Sequence, residues 1–341
     1  MIKPILIKDK TIGKGHNTFL IAEMACAHQG DVENALKMVD LAVKSNADAI
    51  QLQIFISALE MCPTYKDYKL NCELEISHHE WKKVIEKIKK KNILFFSAAY
   101  DIESVEFLVR NDLDAFKIHS SDISNPEILI EIAKSGKPVF LSCGASKLEE
   151  IQNAIILLEE NGTEQIVLMH GYQGFPTKVE DCNLEYIKTL QKLFGLNVGF
   201  YDHVDGGSPL AKIIPIMAIG YGARVIEKHF ILTREDKGID YESSLDTEQF
   251  AEFGLLLREC EKAIGNPHIR QFTEGELKYR AYCKKSIVAW KDIPKNTKIT
   301  RELVQFVRND PGIPPDEFDK IKGKIAKKDI KKYHNIKYED F

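Results

Sequence analysis

Through the first 265 residues, short apolar runs alternate with longer stretches in which apolar positions recur at helical spacing. Runs rich in Ile, Val, Leu and Phe stand at Phe19–Ala22, Ala49–Phe55, Ile93–Ala98, Ala115–His119, Pro138–Cys143, Ile166–His170, Val198–Tyr201 and Val225–Phe230. Most are hydrophobic throughout instead of alternating, which predicts parallel strands covered on both faces. Between the first two runs, Asp31–Lys44 sets Ala35, Met38, Val39 and Ala42 on one helical face behind a capping aspartate. Ser77 with Glu80, and Ser146 with Glu149, fit capping boxes, in which the two side chains satisfy each other's orphan backbone donors. Asn125-Pro126 and Ser208-Pro209 place a cap before a proline in the first turn, and Asp101 and Asp246 are further caps. His78 and His79 then fall in a helix's first turn. Strand followed by helix, eight times over, predicts an α/β fold of the (β/α)8 barrel type. A doubly wound open sheet is the alternative, but no GxGxxG follows the first strand.

After Asn266-Pro267 the pattern changes. A polar stretch, 266–281, reads as a linker between a barrel over 1–265 and a small β-rich domain over 282–341. Lys285–Trp290 is strand-like, and Pro311, Gly312, Pro314 and Pro315 mark turns. Lys320–Lys337 is lysine-rich, but interspersed Asp and Glu make it a solvated face instead of a phosphate or nucleic-acid surface.

Composition narrows the class. Of 341 residues, 44% are hydrophobic, enough for a large core, which excludes a disordered chain. Lys+Arg 47 against Asp+Glu 51 leaves a net charge of -4, so no global field draws nucleic acid or acidic lipid. The opening Met1-Ile2-Lys3-Pro4 lacks the apolar core expected of a secretory leader, and no apolar run reaches the ~18 residues a membrane helix needs. The 7 cysteines form no CxxC pair, which predicts reduced thiols in a cytoplasmic protein.

In a barrel, functional side chains project from the carboxyl ends of strands. There the sequence gathers Glu23, Gln51, Gln53, Lys117, His119, Ser120, Asp122, His170, Asp202, His203, Glu227, Lys228 and His229. So many ionisable groups at one rim point to chemistry, because each must be paired or solvated. His203 and His229 end neighbouring strands, where they either bind a divalent metal or hydrogen-bond rim carboxylates such as Asp202. Lys117 and Ser120 suit a phosphate or carboxylate, or else Lys117 simply pairs with a barrel acid such as Glu23. Glu23 is an acid/base candidate. His170 is either a site residue or, the favoured reading, an imidazole held in place behind the site, and Cys143 has no base beside it to make it a nucleophile.

Several segments together resemble the sialic acid synthase family. They are Ile21-Ala22-Glu23, His28-Gln29-Gly30-Asp31, Ala47–Gln53, Lys117-Ile118-His119-Ser120, Phe175-Pro176-Thr177, Asp202-His203, Gly222–Phe230, Gly238-Ile239-Asp240 and Ser244-Leu245-Asp246. The tail, from Lys285–Ala289 to Gly323-Lys324 and Asp329-Ile330, is similar to the antifreeze-like (SAF) domain that follows the barrel in that family. The resemblance implies a transferase that condenses phosphoenolpyruvate with an N-acylated aldose to a nonulosonic acid, releasing phosphate. It implies Mn²⁺, with Mg²⁺ or Co²⁺ as alternatives, on His203 and His229. Lys117 and Ser120 would grip phosphoenolpyruvate, Glu23, Gln53 and Asp240 would meet the sugar or move protons, and Phe175 would lie beside the sugar. It further implies a homodimer in which each SAF domain covers the partner's barrel.

The chain departs from the family pattern within the anion site. Gln51 stands for a lysine, Ala98 for a threonine, Tyr201 for a serine, Gln173 for an asparagine and Asp122 for a glutamate. Asp310-Pro311-Gly312 replaces Arg-Pro-Gly, with Arg308 upstream as the substitute cation. A divergent synthase is therefore the leading expectation. The alternatives are a carbon–carbon lyase or synthase using another enol or keto-acid donor, and a sugar-binding paralogue without turnover.

Overall fold

The computed structural model describes residues 2–265 and 269–341. It divides into two compact units, Met1–Asn266 and Pro267–Phe341. In the first, eight strands close into a parallel barrel: β1 Phe19–Glu23, β2 Ala49–Ile54, β3 Leu94–Ala99, β4 Ala115–Ile118, β5 Val139–Ser142, β6 Ile166–His170, β7 Asn197–Asp202 and β8 Val225–His229. Each pairs with its successor, and β8 pairs with β1. The expected barrel is present, with strand ends shifted by at most a residue or two. A short antiparallel hairpin, Ile5–Ile7 with Lys10–Ile12, precedes it. Its buried Ile5, Ile7 and Ile12 join the barrel's inner cluster.

Along the strands, side chains alternate between the barrel interior and the layer under the helices. The inner positions start apolar, with Phe19, Phe96 and Phe140 in mutual ring contact. Toward the carboxyl ends the same inward column turns polar: Glu23, Gln51, Lys117, Ser142 and Glu227 are all buried there. The outer positions stay apolar and meet the helices. The helix His78–Lys91, for example, buries Trp81, Val84, Ile85 and Ile88, each worth roughly 1.5–3 kcal/mol of transfer free energy.

Most predicted caps are seen. Asp31, Asp101, Asn125 and Asp246 accept first-turn backbone N–H groups, and the Ser77–Glu80 box is complete. Leu210 N–H reaches Ser208 Oγ at 3.2 Å. The box expected at Ser146–Glu149 is corrected. The helix begins at Leu148, the Glu150 carboxylate takes the Lys147 N–H at 2.6 Å, and the Ser146 hydroxyl donates to the Gly144 carbonyl instead.

In the second unit, Lys285–Ala289 pairs antiparallel with Val304–Arg308. Around them Ile287, Ile299, Phe318, Ile321 and Ile336 form a separate small core. Part of the stretch read as a linker, 266–281, is ordered differently. Residues 266–268 lie outside the described ones, and Glu274–Cys283 is a helix that buries no side chain. Local capping explains it: Thr273 accepts the Glu276 N–H while Glu276 takes the Thr273 N–H at 2.9 Å. Among the described residues, no helix is long and apolar enough to cross a membrane. All seven cysteines are free.

Candidate active site

A cavity of about 300 Å³ opens at the carboxyl ends of the strands. Of the predicted site residues, Glu23, Gln51, Gln53, Lys117, Gln173, Phe175, Tyr201, His203, His229 and Asp240 line it. Ser120 stands just behind the lining, its hydroxyl accepting from Gln173 Nε2 at 2.8 Å. Asp122 is held by Ser121 and Asn125 and does not line the cavity. Arg308 is an exposed residue at the end of its strand in the second unit.

The two histidines meet. His203 Nε2 and His229 Nε2 are 3.2 Å apart. His203 Nδ1 lies 3.0 Å from the Tyr172 carbonyl, which requires a proton on Nδ1 and leaves Nε2 with a lone pair facing His229. Burial lowers the His203 pKa to about 3, and burial with the neighbouring His203 takes His229 well below the usual histidine value. Both rings are therefore neutral and available as ligands. Their 3.2 Å bite is what two nitrogens each ~2.1 Å from one ion span. His229 Nδ1 lies 3.8 Å from Asp240 Oδ2. Among the described residues no cluster of three or more His, Cys, Asp or Glu is arranged to hold a metal, so an ion here could take two protein nitrogens at most from this pair.

The backbone around His203 is firmly held. Its carbonyl accepts from Thr177 N–H and from the Ser243 hydroxyl, both at 2.8 Å. Asp202 and Lys228, which precede the two histidines, face the other way. They are fully buried and paired with each other at 2.5 Å, and Lys228 also reaches the Val204 carbonyl. The expectation that Asp202 belongs to the rim is thereby corrected, and the alternative in which it holds a histidine falls with it. Strand alternation puts its carboxylate behind β7, not inside the barrel.

Lys117 does pair with a barrel acid, but the acid is Glu227 and not Glu23. Glu23 instead accepts from Gln51 Nε2, from Gln53 Nε2 at 3.3 Å and from Ala25 N–H at 2.7 Å. Burial, and then the nearby Glu227 carboxylate, raise the Glu23 pKa well above the usual range, which favours the neutral acid. Burial raises Asp240 to about 6. His119 lines the cavity with its pKa lowered by burial to about 4. His170 turns away, its Nε2 at the Cys182 and Asn183 carbonyls, which is the held imidazole expected of it. Burial raises the Cys143 thiol to about 12, consistent with an unreactive cysteine.

Sequence reasoning missed one wall of the cavity. Cys26, Phe55, Glu60, Asn71 and Tyr100 form it, with Asn71 Nδ2 donating to Glu60 at 2.9 Å. Glu60 and Asn71 come from short helices within 57–76, where no periodicity marks which side chain faces inward.

Comparison with known proteins shows the family of the chain. The profile of the NeuB family matches residues 38–269, and that of the SAF domain matches 284–340. An uncharacterized protein of Methanocaldococcus jannaschii is 35% identical over 340 residues, with 99% of each chain covered. A pseudaminic acid synthase of Campylobacter jejuni is 33% identical, covering 95% of this chain and 96% of its own. The crystal structure of an N-acetylneuraminic acid synthetase from Leptospira borgpetersenii, in complex with citrate, superimposes with a TM-score of 0.75 at 30% identity, over 82% of this chain and 97% of that one. With its histidine pair at the mouth of a closed parallel barrel and a matching tail, the chain belongs to the NeuB family, the sialic acid synthases, and carries a C-terminal SAF domain.

Proposed function

We propose that this enzyme condenses phosphoenolpyruvate with an N-acylated aldose, giving a nonulosonic acid and phosphate in a divalent-metal-dependent reaction. The observation that carries the reading is the neutral histidine pair, Nε2 to Nε2 at 3.2 Å, over a cavity that also holds Glu23 and Asp240. Carbon 3 of the donor attacks the sugar aldehyde, water adds at carbon 2, and the resulting tetrahedral centre expels phosphate. His203 and His229 would hold the ion, Mn²⁺ first and Mg²⁺ or Co²⁺ otherwise. When bound, it supplies Lewis-acid polarisation of the aldehyde oxygen.

The chain's own residues supply the rest. Lys117 orients the donor as an ammonium. Asp240, titrating at about 6, can hold or return a proton near neutral pH at the nascent hydroxyl. Glu23, favoured as the neutral acid, donates a hydrogen bond to the sugar alongside Gln53. The Phe175 ring, with its centroid 4.3 Å from that of His203, covers the approach and limits water there. We also propose, from the family resemblance, that the active form is a homodimer, which light scattering on the full chain checks.

The direct test is phosphate release from phosphoenolpyruvate across a panel of N-acylated hexoses, with and without Mn²⁺. Release that needs both sugar and metal supports the reading; none across the panel overturns it. The bonded state of the groups around Lys117 favours one second reading, condensation with another enol or keto acid. Product formed from pyruvate without phosphate would identify it.

A further inference from the structure

The cavity has a second end, away from the histidines. At the first end Asp240 Oδ2 lies 3.8 Å from His229 Nδ1. At the other, the helices Ser57–Glu60 and Tyr68–Leu74 present Glu60 and Asn71. Burial raises the Cys26 thiol, and the carboxylates that add to it are Asp240, Glu60 and Glu23, which places Cys26 between the two ends. Burial raises the Glu60 carboxyl too, opposed by the Asn71 amide and reinforced by Asp122, Asp101 and Glu75, none of which adjoins the histidines. A sugar whose aldehyde meets the histidine pair turns its far end, carbon 6, toward Glu60.

This end of the cavity is held in place. Asp101 takes the Ile56 N–H at 2.9 Å and Glu75 takes the Ser57 N–H at 2.8 Å, so two carboxylates seat the short helix that carries Glu60. Asn71 is buried, and its Nδ2 donates to Glu60 at 2.9 Å and lies 3.4 Å from Ser57 Oγ. The β1 loop closes on the second helix without slack: a Cβ at Gly30 would lie 2.1 Å from the Glu73 carbonyl oxygen.

Glu60 has no counter-charge. Among the described residues no lysine, arginine or histidine pairs with it, and its side-chain donor is the neutral Asn71 amide. Lys117, the one lysine or arginine that lines the cavity among the described residues, is bonded to Glu227. Gln51 adds a further acceptor, because its Oε1 is buried in the lining without a partner among the described residues. An ammonium brought to this half-buried carboxylate relieves the crowding of acids; an anion adds to it.

We propose that Glu60 is a specificity-determining residue that reads charge at the far end of the acceptor sugar, taking an ammonium or a hydroxyl there and rejecting a phosphate. Asn71 is its positioning residue. This rests on the condensing reading only for which end of the sugar faces the histidines.

The test is calorimetry on the full-length, metal-loaded chain without phosphoenolpyruvate. The probes are N-acetylglucosamine and N-acetylmannosamine, each with a hydroxyl, an amine or a phosphate at carbon 6. In at least one series wild type is expected to bind the amine form roughly tenfold more tightly than the hydroxyl form, and the phosphate form roughly tenfold or more weakly. Glu60→Gln keeps the Asn71 contact without the charge and should bring the forms to within about threefold of each other. Added salt should narrow the wild-type spread and leave that of the variant unchanged, which a merely structural role would not do. A wild type that binds the phosphate form as tightly as the hydroxyl form, an order that survives Glu60→Gln, or no binding in either series overturns the proposal. Should Glu60→Gln fail to fold, the wild-type order and its salt dependence still decide it. Turnover is read separately. A chain that ranks the sugars this way yet releases no phosphate from phosphoenolpyruvate keeps this inference and loses the synthase reading; one that condenses the 6-phosphate as readily as the unmodified sugar does the reverse.

Discussion

Two lysine–carboxylate pairs lie one residue apart along β8, and their fates differ. Glu227 points into the barrel and meets Lys117 across the cavity, whereas Lys228 points out and meets Asp202 under the helices. The chemistry of the two pairs is the same; strand alternation alone assigns one to the cavity and the other to the scaffold. The outer pair is fully buried, and through Asp202 and Lys228 it ties together the residues that precede both histidines. The inner pair faces a space that water and substrate enter. Charge at a barrel rim is thus not by itself a mark of function, and the face on which it lands decides.

The largest expected effect falls on the outer pair. Lys228→Met leaves the Asp202 carboxylate buried without a partner and should cost about 3–5 kcal/mol of unfolding free energy in urea. Lys117→Met, whose stranded Glu227 can recruit water from the cavity, should cost less, about 1–3 kcal/mol. Equal losses would erase the distinction between scaffold and site.

On the inner face, Gly144 and Gly171 leave the room that the buried Tyr201 side chain fills, a Cβ on either falling within 2.2 Å of it. Gly144→Ala pushes a methyl onto the Tyr201 hydroxyl and should destabilise by about 1–3 kcal/mol. Tyr201→Phe in the same chain removes the atom in conflict and should recover part of that loss. A Gly144→Ala chain as stable as wild type would mean that the ring is not held as described.

Asp240 gives the smallest effect and one that depends on pH. Burial raises its folded-state pKa to about 6 from an ordinary 3.8. Its stabilising effect is therefore fully present below about pH 4 and is lost as pH rises through 6. In metal-free protein, Asp240→Asn should add about 1–2 kcal/mol at pH 7, a quarter-exposed side chain screening part of the full effect, and almost nothing at pH 4. A gain of the same size at both pH values would contradict the assigned shift.

Much of this was legible in the sequence, for a physical reason. Eight buried strands need near-continuous apolar runs, and helix starts need caps, so Phe19–Glu23 or Asp31 announce themselves locally. His203, His229, Glu23 and Lys117 were found because strand ends of a barrel converge. What stayed hidden depends on pairing across the fold. Nothing near Lys117 in the chain says that Glu227 and not Glu23 will reach it, and Asp202 looks like a rim acid until alternation is counted residue by residue from β7. Glu60 and Asn71 lie in an irregular segment without a period to read. The helix Glu274–Cys283 carries a local signal, the Thr273–Glu276 box, within a stretch too polar to suggest packing.

Metal-dependent chemistry at the barrel mouth requires the two facing imidazoles. Full-length protein stripped of metal and titrated with Co²⁺, followed by visible absorption, measures them. The expected result is one ion per chain, with affinity lost in His203→Ala and in His229→Ala by more than the roughly 10–100-fold that removal of a supporting partner costs. Cobalt bound with the same affinity and spectrum in both variants, or not bound by the wild-type chain, would contradict it.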